Sequence, residues 1–542
     1  GEVVRRVNGE AAWRRITGVV RDATGEPIQG AFVHALAGSS YVTRTVSAAD
    51  GTYAIHVPEG DVRLVPQKRG YPTSDGVGVG AGGELDLGFD PHGTIHVVAT
   101  DESSGAPIPV RIQVIPEVAV EPTPAAFGNP DESNGRLWQE FAVTGEATLA
   151  VPPGMHRVIV SRGYEWELHD ETVDVVEGAV VDVTAPLLQS VDTTGAMSAD
   201  FHIHSMYSAD SSDPVVHKVK GALADGLDIP ASSEHEWIIS FQPVIEELGA
   251  EAWAFGIPSE ELTTFTWGHF GVVPIQPRPD RVNNGAIDWL NKSPAEVFAE
   301  IDELPEAPAL IVNHPSGSSG FSAYFTAVNL DRATGASDSA LWSENFDAIE
   351  VFNDSDFDSN RDASVADWFA LLNAGKTFFA VGSSDSHSIR TSPIGYPRTY
   401  LFLGYDDPLV ADAGDIRDGI VSGNMTIGGG LYMTVEGPSA SGPGSIVPRT
   451  GDVADFTVTV RCPTWIGADT LEIIVNGETV ATEDLLPFGA GPGKEFVNTV
   501  SVDLPDTPRA WVVFHAKGPG DLAPLHPGRE PFAVSNPVMF VR

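Results

Sequence analysis

The stretch that decides the fold is Ala199-Asp200-Phe201-His202-Ile203-His204, a short apolar strand that ends in two histidines. It lies near the start of a region, from about residue 196 to about residue 432, in which apolar strands alternate with amphipathic helices. Such alternation predicts parallel strands joined by crossover helices, in a barrel or a doubly wound sheet. In both folds the active site lies at the carboxyl ends of the strands, because loops from separate strands converge there.

Other histidines in this region also follow apolar strands, beside acidic or small residues. They occur in Ser233-Glu234-His235-Glu236, Gly268-His269, Asn313-His314-Pro315 and Ser384-Asp385-Ser386-His387. His202 and His204 are two positions apart, so both imidazoles lie on one face of a strand and can share one ion. A single pair of this kind is usually a surface feature, and a lone histidine is usually a hydrogen-bonded core residue. Several clusters at strand ends in one alternating region therefore predict a metal site.

Composition restricts which metals such a site can hold. The chain has a single cysteine, Cys462, which excludes both a disulfide framework and a cysteine-based zinc site. Any metal is then held by His, Asp and Glu, and this ligand set suits Zn, Mn or Fe.

Charge and hydropathy exclude two classes of partner. Lys and Arg total 31 against 75 Asp and Glu, a formal net charge of −44 that repels nucleic acid and anionic lipid. No stretch approaches the roughly 20 uninterrupted apolar residues of a membrane span. We therefore expect no nucleic-acid partner and no membrane insertion.

Short strands separated by turns flank the alternating region on both sides. Their spacing predicts an all-β sandwich over residues 13–90. The segment Val151-Pro152-Pro153-Gly154 echoes Val57-Pro58-Glu59-Gly60 and favours a second sandwich, with one larger β domain over 13–190 as the alternative. The last stretch is again β-like. The predicted domains are residues 13–90, 91–190, 191–432 and 433–542.

The first sandwich resembles the carboxypeptidase-regulatory-like domain. The pattern G-x-V-x-D-x-x-G-x-P-(I/V)-x-G-A, followed by D-G-x-Y and V-P-x-G, lies between Gly18 and Gly60. This resemblance implies a fold and says almost nothing about chemistry.

The histidine motifs resemble those of the PHP (polymerase and histidinol phosphatase) superfamily. The matching elements are His202-x-His204 with Asp210, Ser233-Glu234-His235 in place of the usual T-D-H, Asn313-His314-Pro315, and Gly382-Ser383-Ser384-Asp385-Ser386-His387 for G-x-S-D-x-H. Two further elements and the closing segment resemble the CehA/McbA (carbaryl hydrolase-like) branch: Glu261-Leu262-Thr263-Thr264, Gly268-His269 and Ser535-Asn536-Pro537-Val538. The resemblance implies a multidomain protein with a central distorted (β/α)7 barrel flanked by all-β sandwich domains.

The same resemblance implies two or three divalent metal ions at three positions. The first position would be held by His202, His204, Glu261 and Asp385, the second by Glu261, His269 and His314, and the third by Asp210, His235 and His387. Glu260 is the alternative to Glu261 as the bridging residue. Glu234, which stands where the family has Asp, is not expected to be a ligand.

Four more residues near the motifs have candidate roles. Arg398 either binds an anionic oxygen of the substrate or pairs with a neighbouring carboxylate. Asn353 ends an apolar strand and is expected to face the pocket. Ser384 and Ser386 are expected to pack a tight loop at a strand end and not to act as nucleophiles.

Taken together, these features predict a metal-dependent hydrolase in which hydroxide formed at the metal ions attacks an ester-type bond. The substrate is expected to be a small phosphoester, with a carbamate or aryl ester as the alternative. A hypothesis of another class is an extracytoplasmic binding protein with an inactive barrel. The regulatory-like module and the acidic, cysteine-poor composition suit an exported protein, secreted or periplasmic. The chain begins at Gly1, so its signal peptide is expected to lie outside this sequence.

Overall fold

The computed structural model describes residues 13–72, 74–117, 127–128, 133–317, 321–354, 356–489 and 491–542. Within them the chain forms a multidomain, sheet-rich protein whose contacts define two compact units. The first unit comprises the described residues up to Thr100 with Ile112–Val160 and His169–Pro186; the second comprises Asp101–Arg111, Ser161–Leu168 and Leu187–Arg542. Three short segments of the predicted 91–190 domain, residues 101–111, 161–168 and 187–190, thus belong to the second unit.

The first unit is built from small sheets. Their strands have alternating burial. In strand Thr52–Pro58, for example, Tyr53, Ile55 and Val57 are buried and alternate with exposed residues, so one face of its sheet covers a core. Its strands run in the orders β4-β1-β7, β3-β2-β5-β6, β10-β9-β12-β13 and β11-β8-β14. Their bounds are β1 Trp13–Arg21, β2 Phe32–Ala37, β3 Ser40–Val46, β4 Thr52–Pro58, β5 Val62–Gln67, β6 Val77–Gly78, β7 Leu87–Gly88, β8 Gly93–Asp101, β9 Val110–Pro116, β10 Trp138–Ala142, β11 Glu146–Val151, β12 Gly154–Ser161, β13 His169–Val175 and β14 Val180–Leu187.

The second unit begins with strands that alternate with helices, as predicted. The strands are β15 Met197–Asp200, β16 Ile229–His235, β17 Ile257–Thr263, β18 His269–Val273, β19 Ala309–Asn313, β20 Ala348–Asn353, β21 Phe379–Ser383, β22 Arg398–Leu401 and β23 Met425–Gly429. The helices are α1 Val215–Ala224, α2 Gln242–Glu247, α3 Pro294–Asp302, α4 Tyr324–Ala327, α5 Phe357–Asn360, α6 Ala366–Asn373 and α7 Ala413–Ser422. None of these described helices combines the length and the apolar character needed to cross a membrane.

Strands β15 to β21 lie side by side in chain order within one fifteen-stranded sheet. Most neighbours are parallel, but β18 is antiparallel to both β17 and β19. The expectation of parallel strands throughout is wrong here, because β17 and β18 form a hairpin without a crossover helix. Gly268 in its turn has a φ of 104°, and a Cβ there would lie 2.7 Å from the Tyr324 nitrogen, so the turn requires glycine.

A parallel bridge joins the two ends of this strand series. Ile203, just beyond β15, pairs with Ser386, just beyond β21. The His204 nitrogen donates to the Ser386 carbonyl at 3.1 Å, and the Ser386 nitrogen donates to the His202 carbonyl at 3.3 Å. The first and last histidine motifs are therefore neighbours in space.

The C-terminal region continues the same sheet through β22-β23-β31-β30-β27-β28. Residues 433–542 thus share a sheet and a core with the preceding region; for example, the Phe352 and Phe532 rings lie 4.7 Å apart. The remaining strands are β24 Tyr432–Glu436, β25 Ile446–Pro448, β26 Val453–Cys462, β27 Thr470–Val475, β28 Glu478–Asp484, β29 Lys494–Asp503, β30 Arg509–Lys517, β31 Phe532–Ser535 and β32 Val538–Val541.

Asn536 fastens this C-terminal region to the strands that carry the last histidine motif. Its side chain is buried; it accepts from the Ala380 nitrogen at 2.7 Å and donates to the Ala380 carbonyl at 2.9 Å and to the Met425 carbonyl at 3.2 Å. The amide thus bonds to backbone groups of two strands, β21 and β23, and ties them to the C-terminal segment.

We predict that Asn536→Ala lowers the free energy of unfolding by about 3 kcal/mol, because buried backbone groups lose their partners. Asn424→Ala is the matched control, since Asn424 is exposed and its amide donates one hydrogen bond, to the Phe402 carbonyl. Thermal and urea unfolding of both variants measure the difference. Equal midpoints for the two variants would contradict the role given to Asn536.

Candidate metal centre

Adjacent strand ends carry the predicted ligands, and the register sets their relative positions. His235 at the end of β16 lies opposite Glu261 in β17, and Thr263 lies opposite His269 in β18. His269 in turn lies opposite Asn313, the residue before His314. Because side chains alternate between the faces of a sheet, a slip of one residue in any of these pairs would point a ligand away from the others.

Glu261 is the centre of the cluster. Its carboxylate is 1% exposed and lies among five imidazoles. Its Oε1 lies 3.0 Å from His202 Nε2, 3.0 Å from His314 Nε2 and 3.4 Å from His269 Nδ1; its Oε2 lies 2.8 Å from His235 Nδ1 and 3.6 Å from His204 Nε2. Glu260 lies outside this cluster and accepts from the Ile287 nitrogen. The geometry thus favours Glu261 over Glu260 as the bridging residue.

Two aspartates complete the cluster on its more open side. Asp385 Oδ1 lies 3.3 Å from His202 Nε2, 3.2 Å from His204 Nε2 and 3.3 Å from His387 Nδ1. Asp210 Oδ2 lies 3.1 Å from His235 Nε2 and 3.2 Å from His387 Nε2. All nine predicted ligands therefore meet in one place, although they span residues 202 to 387.

Unpartnered atoms show that this cluster fits divalent cations. Five buried side-chain atoms of this cluster make no hydrogen bond of acceptable geometry with the described residues: His202 Nε2, His204 Nε2, Glu261 Oε2, His269 Nδ1 and Asp385 Oδ1. Buried polar atoms are nearly always hydrogen-bonded, so a convergent unpaired set of nitrogen and carboxylate ligand atoms suits bound cations. Three groups have ligand atoms that all lie within 4.8 Å of one another: His204, His235 and His387; His202, Glu261 and His314; and His202, His204 and Asp385.

Two ligands sit on strained backbone. His314 has a φ of 26° and Asp385 a φ of 50°, in the left-handed region that residues other than glycine rarely adopt. The Glu350 carboxylate accepts from the His314 nitrogen at 2.7 Å and so holds that conformation. Such strain persists where the surroundings impose it, commonly at functional sites.

Opposed effects set the protonation of the imidazoles. Burial acts to lower the pKa of His202, but the carboxylates of Asp385 and Glu261 outweigh it and raise that pKa well above its ordinary value. Burial dominates at His204 and lowers its pKa to about 4. At His235 burial also opposes protonation, yet the adjacent Glu261 raises the pKa to about 9. The carboxylates thus attract positive charge into the site, whether protons or cations supply it.

Glu350 contacts two of the predicted ligands and was not among the residues that the sequence analysis singled out. Its buried carboxylate accepts from His202 Nδ1 at 2.8 Å, which leaves Nε2 of that ring directed at the cluster. Asn353 donates to Glu350 Oε2 at 3.0 Å and to Asp385 Oδ2 at 3.3 Å, so it does face the site. A carboxylate that fixes the tautomer of a histidine ligand is a common feature of metal sites. The sequence signal that could have identified Glu350 is an acidic residue within the otherwise apolar stretch 349–352.

Glu234 holds another ligand through a hydroxyl. It accepts from Ser208 Oγ at 2.6 Å and from the Ser205 nitrogen at 2.9 Å. Ser208 Oγ lies 3.0 Å from His204 Nδ1, so His204 also has one ring nitrogen held from behind while the other points at Asp385 and Glu261. This arrangement agrees with the expectation that Glu234 is not itself a ligand.

The proposed substrate contact of Arg398 is wrong. Its side chain is fully buried and its nitrogens bond to Glu165 at 3.2 Å, to the Gly395 carbonyl at 3.0 Å and to the Asp225 carbonyl at 3.1 Å. Its Cζ also lies 4.7 Å from the centre of the Tyr164 ring. Arg398 therefore takes the alternative role, an ion pair with a neighbouring carboxylate.

The loop serines bond to protein backbone. Ser384 Oγ donates to the His202 carbonyl at 3.4 Å, and Ser386 Oγ donates to the Ser392 carbonyl at 2.6 Å. Both are fully buried, which agrees with a packing role.

Comparisons with known proteins bear on the first domain. The family model of the carboxypeptidase regulatory-like domain matches residues 15–90, close to the predicted domain 13–90. No curated protein matches the chain.

Several solved structures show limited similarity. One is a two-domain protein from Bacteroides vulgatus ATCC 8482 that contains a predicted PHP-like metal-dependent phosphoesterase, with 17% identity, a TM-score of 0.32, and coverage of 60% of this chain and 92% of that chain. Another is the streptococcal ancillary pilin, with 14% identity, a TM-score of 0.18, and coverage of 32% and 62%. A third is the shaft pilin SpaA from Lactobacillus rhamnosus GG, with 9% identity, a TM-score of 0.20, and coverage of 33% and 99%. These scores are too low to support a conclusion about this chain.

We predict that Glu350→Gln weakens metal binding by about 10- to 100-fold, the usual effect of losing a carboxylate that orients a histidine ligand. Glu303→Gln is the control, because Glu303 is exposed at the end of α3. Competition with a chelator measures the affinity of both variants. Unchanged affinity in Glu350→Gln would contradict the positioning role.

We also predict that Arg398→Lys lowers stability and leaves the metal content unchanged. Lysine keeps the charge but cannot reproduce the hydrogen bonds of the guanidinium fork, so we expect a loss of about 1–3 kcal/mol. Chemical unfolding and elemental analysis measure the two quantities. Loss of metal at wild-type stability would place Arg398 in the metal centre after all.

Proposed function

We propose that this chain is a metal-dependent hydrolase of an ester-type bond, built on a seven-stranded (β/α)7 barrel formed by β15 to β21. The observation that carries the proposal is the convergence of the nine predicted ligands, with Glu261 at their centre and five of their buried atoms without a hydrogen bond to the described residues. The Ile203–Ser386 bridge supports closure of the barrel. We also propose that the protein is exported, either secreted or periplasmic.

Three positions would hold the ions. His202, His204, Glu261 and Asp385 would form the first, Glu261, His269 and His314 the second, and Asp210, His235 and His387 the third. Divalent ions bound there would lower the pKa of water and withdraw charge from the bond to be cleaved. Zn, Mn and Fe all suit this ligand set.

The residues of the chain also define how a substrate reaches the site. The side chains of His202 and Glu261 are 1% exposed, whereas that of Asp210 is 54% exposed and that of His387 is 29% exposed. A substrate therefore approaches from the Asp210–His387 side. The Asn353 amide donates to both Glu350 and Asp385, so its role would be to hold these two carboxylates in place beside the substrate.

The phosphoester hypothesis depends on a third ion, the one that Asp210, His235 and His387 would hold. A phosphoryl group needs several cations around its oxygens. Arg361 and Arg398 do not serve this purpose, because Arg361 pairs with Glu472 and Arg398 with Glu165. In a phosphoesterase, therefore, bound metal ions rather than these arginines would neutralise the phosphate.

A specific observation favours the second candidate, a carbamate or aryl ester. Exposed apolar side chains follow the ligand-bearing strand ends: Met206, Tyr207, Phe265 and Phe321. The Tyr207 ring stacks near Trp237, with centres 6.3 Å apart, and the Phe265 ring meets Trp289 at 5.8 Å. Exposed aromatic groups beside a polar centre suit a substrate with an aromatic group.

The deciding experiment combines elemental analysis of protein purified without chelators with a substrate panel. The panel contains p-nitrophenyl phosphate, bis-p-nitrophenyl phosphate and a naphthyl carbamate, each with added Mn²⁺ or Zn²⁺. We expect turnover of at least one substrate that chelation abolishes. His202→Ala should reduce it about a thousandfold or more, because a lost ion removes several kcal/mol of transition-state stabilisation.

His217→Ala is the matched control, since His217 lies exposed on α1, and it should keep wild-type turnover. Preference for the carbamate over both phosphates would select the second candidate. Full metal occupancy without turnover of any substrate would favour a binding protein instead.

A further inference from the structure

Lys218 is a buried ammonium beside the metal centre that the proposed chemistry does not use. It lies on α1, is fully buried, and its Nζ contacts three acceptors. The Ser386 carbonyl lies at 2.9 Å, Ser386 Oγ at 3.1 Å and Asp213 Oδ2 at 3.4 Å. An ammonium has three N–H donors, so each has an acceptor here.

Ser386 is the residue that joins two pairs of ligands. It stands between Asp385 and His387, and its backbone pairs with the segment that carries His202 and His204. Its carbonyl accepts from both Lys218 Nζ and the His204 nitrogen. Lys218 thus holds this bridge from the helix side, away from the ligands themselves.

Asp213 extends the same contact to a second loop. Its Oδ2 accepts from the Ile389 nitrogen at 2.8 Å, and its carbonyl accepts from the Met206 nitrogen at 2.8 Å. Ser211 Oγ, nearby in the same loop, donates to the His387 carbonyl at 2.7 Å. The loop that carries Asp210 and the loop that carries His387 are therefore joined through Asp213, Ser211 and Lys218.

The chemistry of a buried ammonium argues against a merely structural role. Burying a charge costs several kcal/mol, and replacing a buried ion pair with apolar side chains of similar volume is often neutral or stabilising. Apolar residues in place of both Lys218 and Asp213 would then serve the fold equally well. What only the ammonium supplies is the simultaneous hold on Ser386 and Asp213.

We propose that Lys218 is a positioning residue that sets the distance between Asp210 and His387, and so controls the ion position formed by Asp210, His235 and His387. This inference rests on the proposed metal-dependent function. The third position depends on Lys218 more than the second does, because Asp210 and His387 lie on loops while Glu261 and His269 lie within paired strands.

The test is a titration of metal-free protein with Zn²⁺, followed by calorimetry, in Lys218→Met and in Lys220→Met. Lys220 lies two residues further along α1, so the second variant makes the same change on the same helix without touching Ser386. We expect Lys218→Met to bind one ion about 10- to 100-fold more weakly and to keep the affinity of the remaining ions. Lys220→Met should match the wild type.

A second variant covers the outcome in which Lys218→Met does not fold, as judged by circular dichroism. Ser386→Ala removes one of the three acceptors and should weaken the same ion by a smaller factor. Full stoichiometry with affinities within about twofold of wild type in the folded variant would overturn the inference alone. A wild-type protein that binds no ion would overturn the proposed function, and this inference with it.

Discussion

One buried carboxylate imposes its requirements on the surrounding structure. Glu261 is almost fully shielded from water, and its two oxygens lie within 3.6 Å of five imidazoles. A carboxylate in such a place is tolerable only with compensating positive charge close by. The imidazoles can supply it as imidazolium, or bound cations can supply it while the rings stay neutral. In either case, the strands that carry the imidazoles must bring them to the same edge of the sheet as Glu261.

The sheet meets this demand through register and not through loop conformation alone. Pairing of β16, β17, β18 and β19 places His235, Glu261, His269 and Asn313 side by side. The hairpin between β17 and β18 reverses one strand, and that reversal brings His269 back to the edge where Glu261 lies. A crossover helix would have started the next strand at the opposite edge. The exception to parallel pairing therefore serves the site directly.

Most of the ligands could be predicted from sequence because they sit at or just beyond the ends of short apolar strands, where residue type and position carry the signal. Asp210, which lies on a loop, and His269, which begins β18, do not follow this rule. Three other features depend on distant partners that spacing does not reveal. Arg398 pairs with Glu165, which lies 233 positions earlier. In the sequence Glu350 is only an acidic residue within an apolar strand, and the structure alone shows that its carboxylate bonds to His202. His217 and Lys218 are adjacent on one helix, yet the first is exposed and the second buried.

The polar layer behind the ligands bears on whether this is a working site. Glu350, Glu234 with Ser208, and Lys218 contact the back of His202, His204 and Ser386, respectively. His314 and Asp385 also keep unfavourable backbone conformations. A sheet selected for stability alone would replace buried charges with apolar side chains and relax the strain. The cost of this layer is offset only if holding the ligand atoms in place confers something that folding does not need. That reasoning favours a reactive centre over a binding module with an inactive barrel.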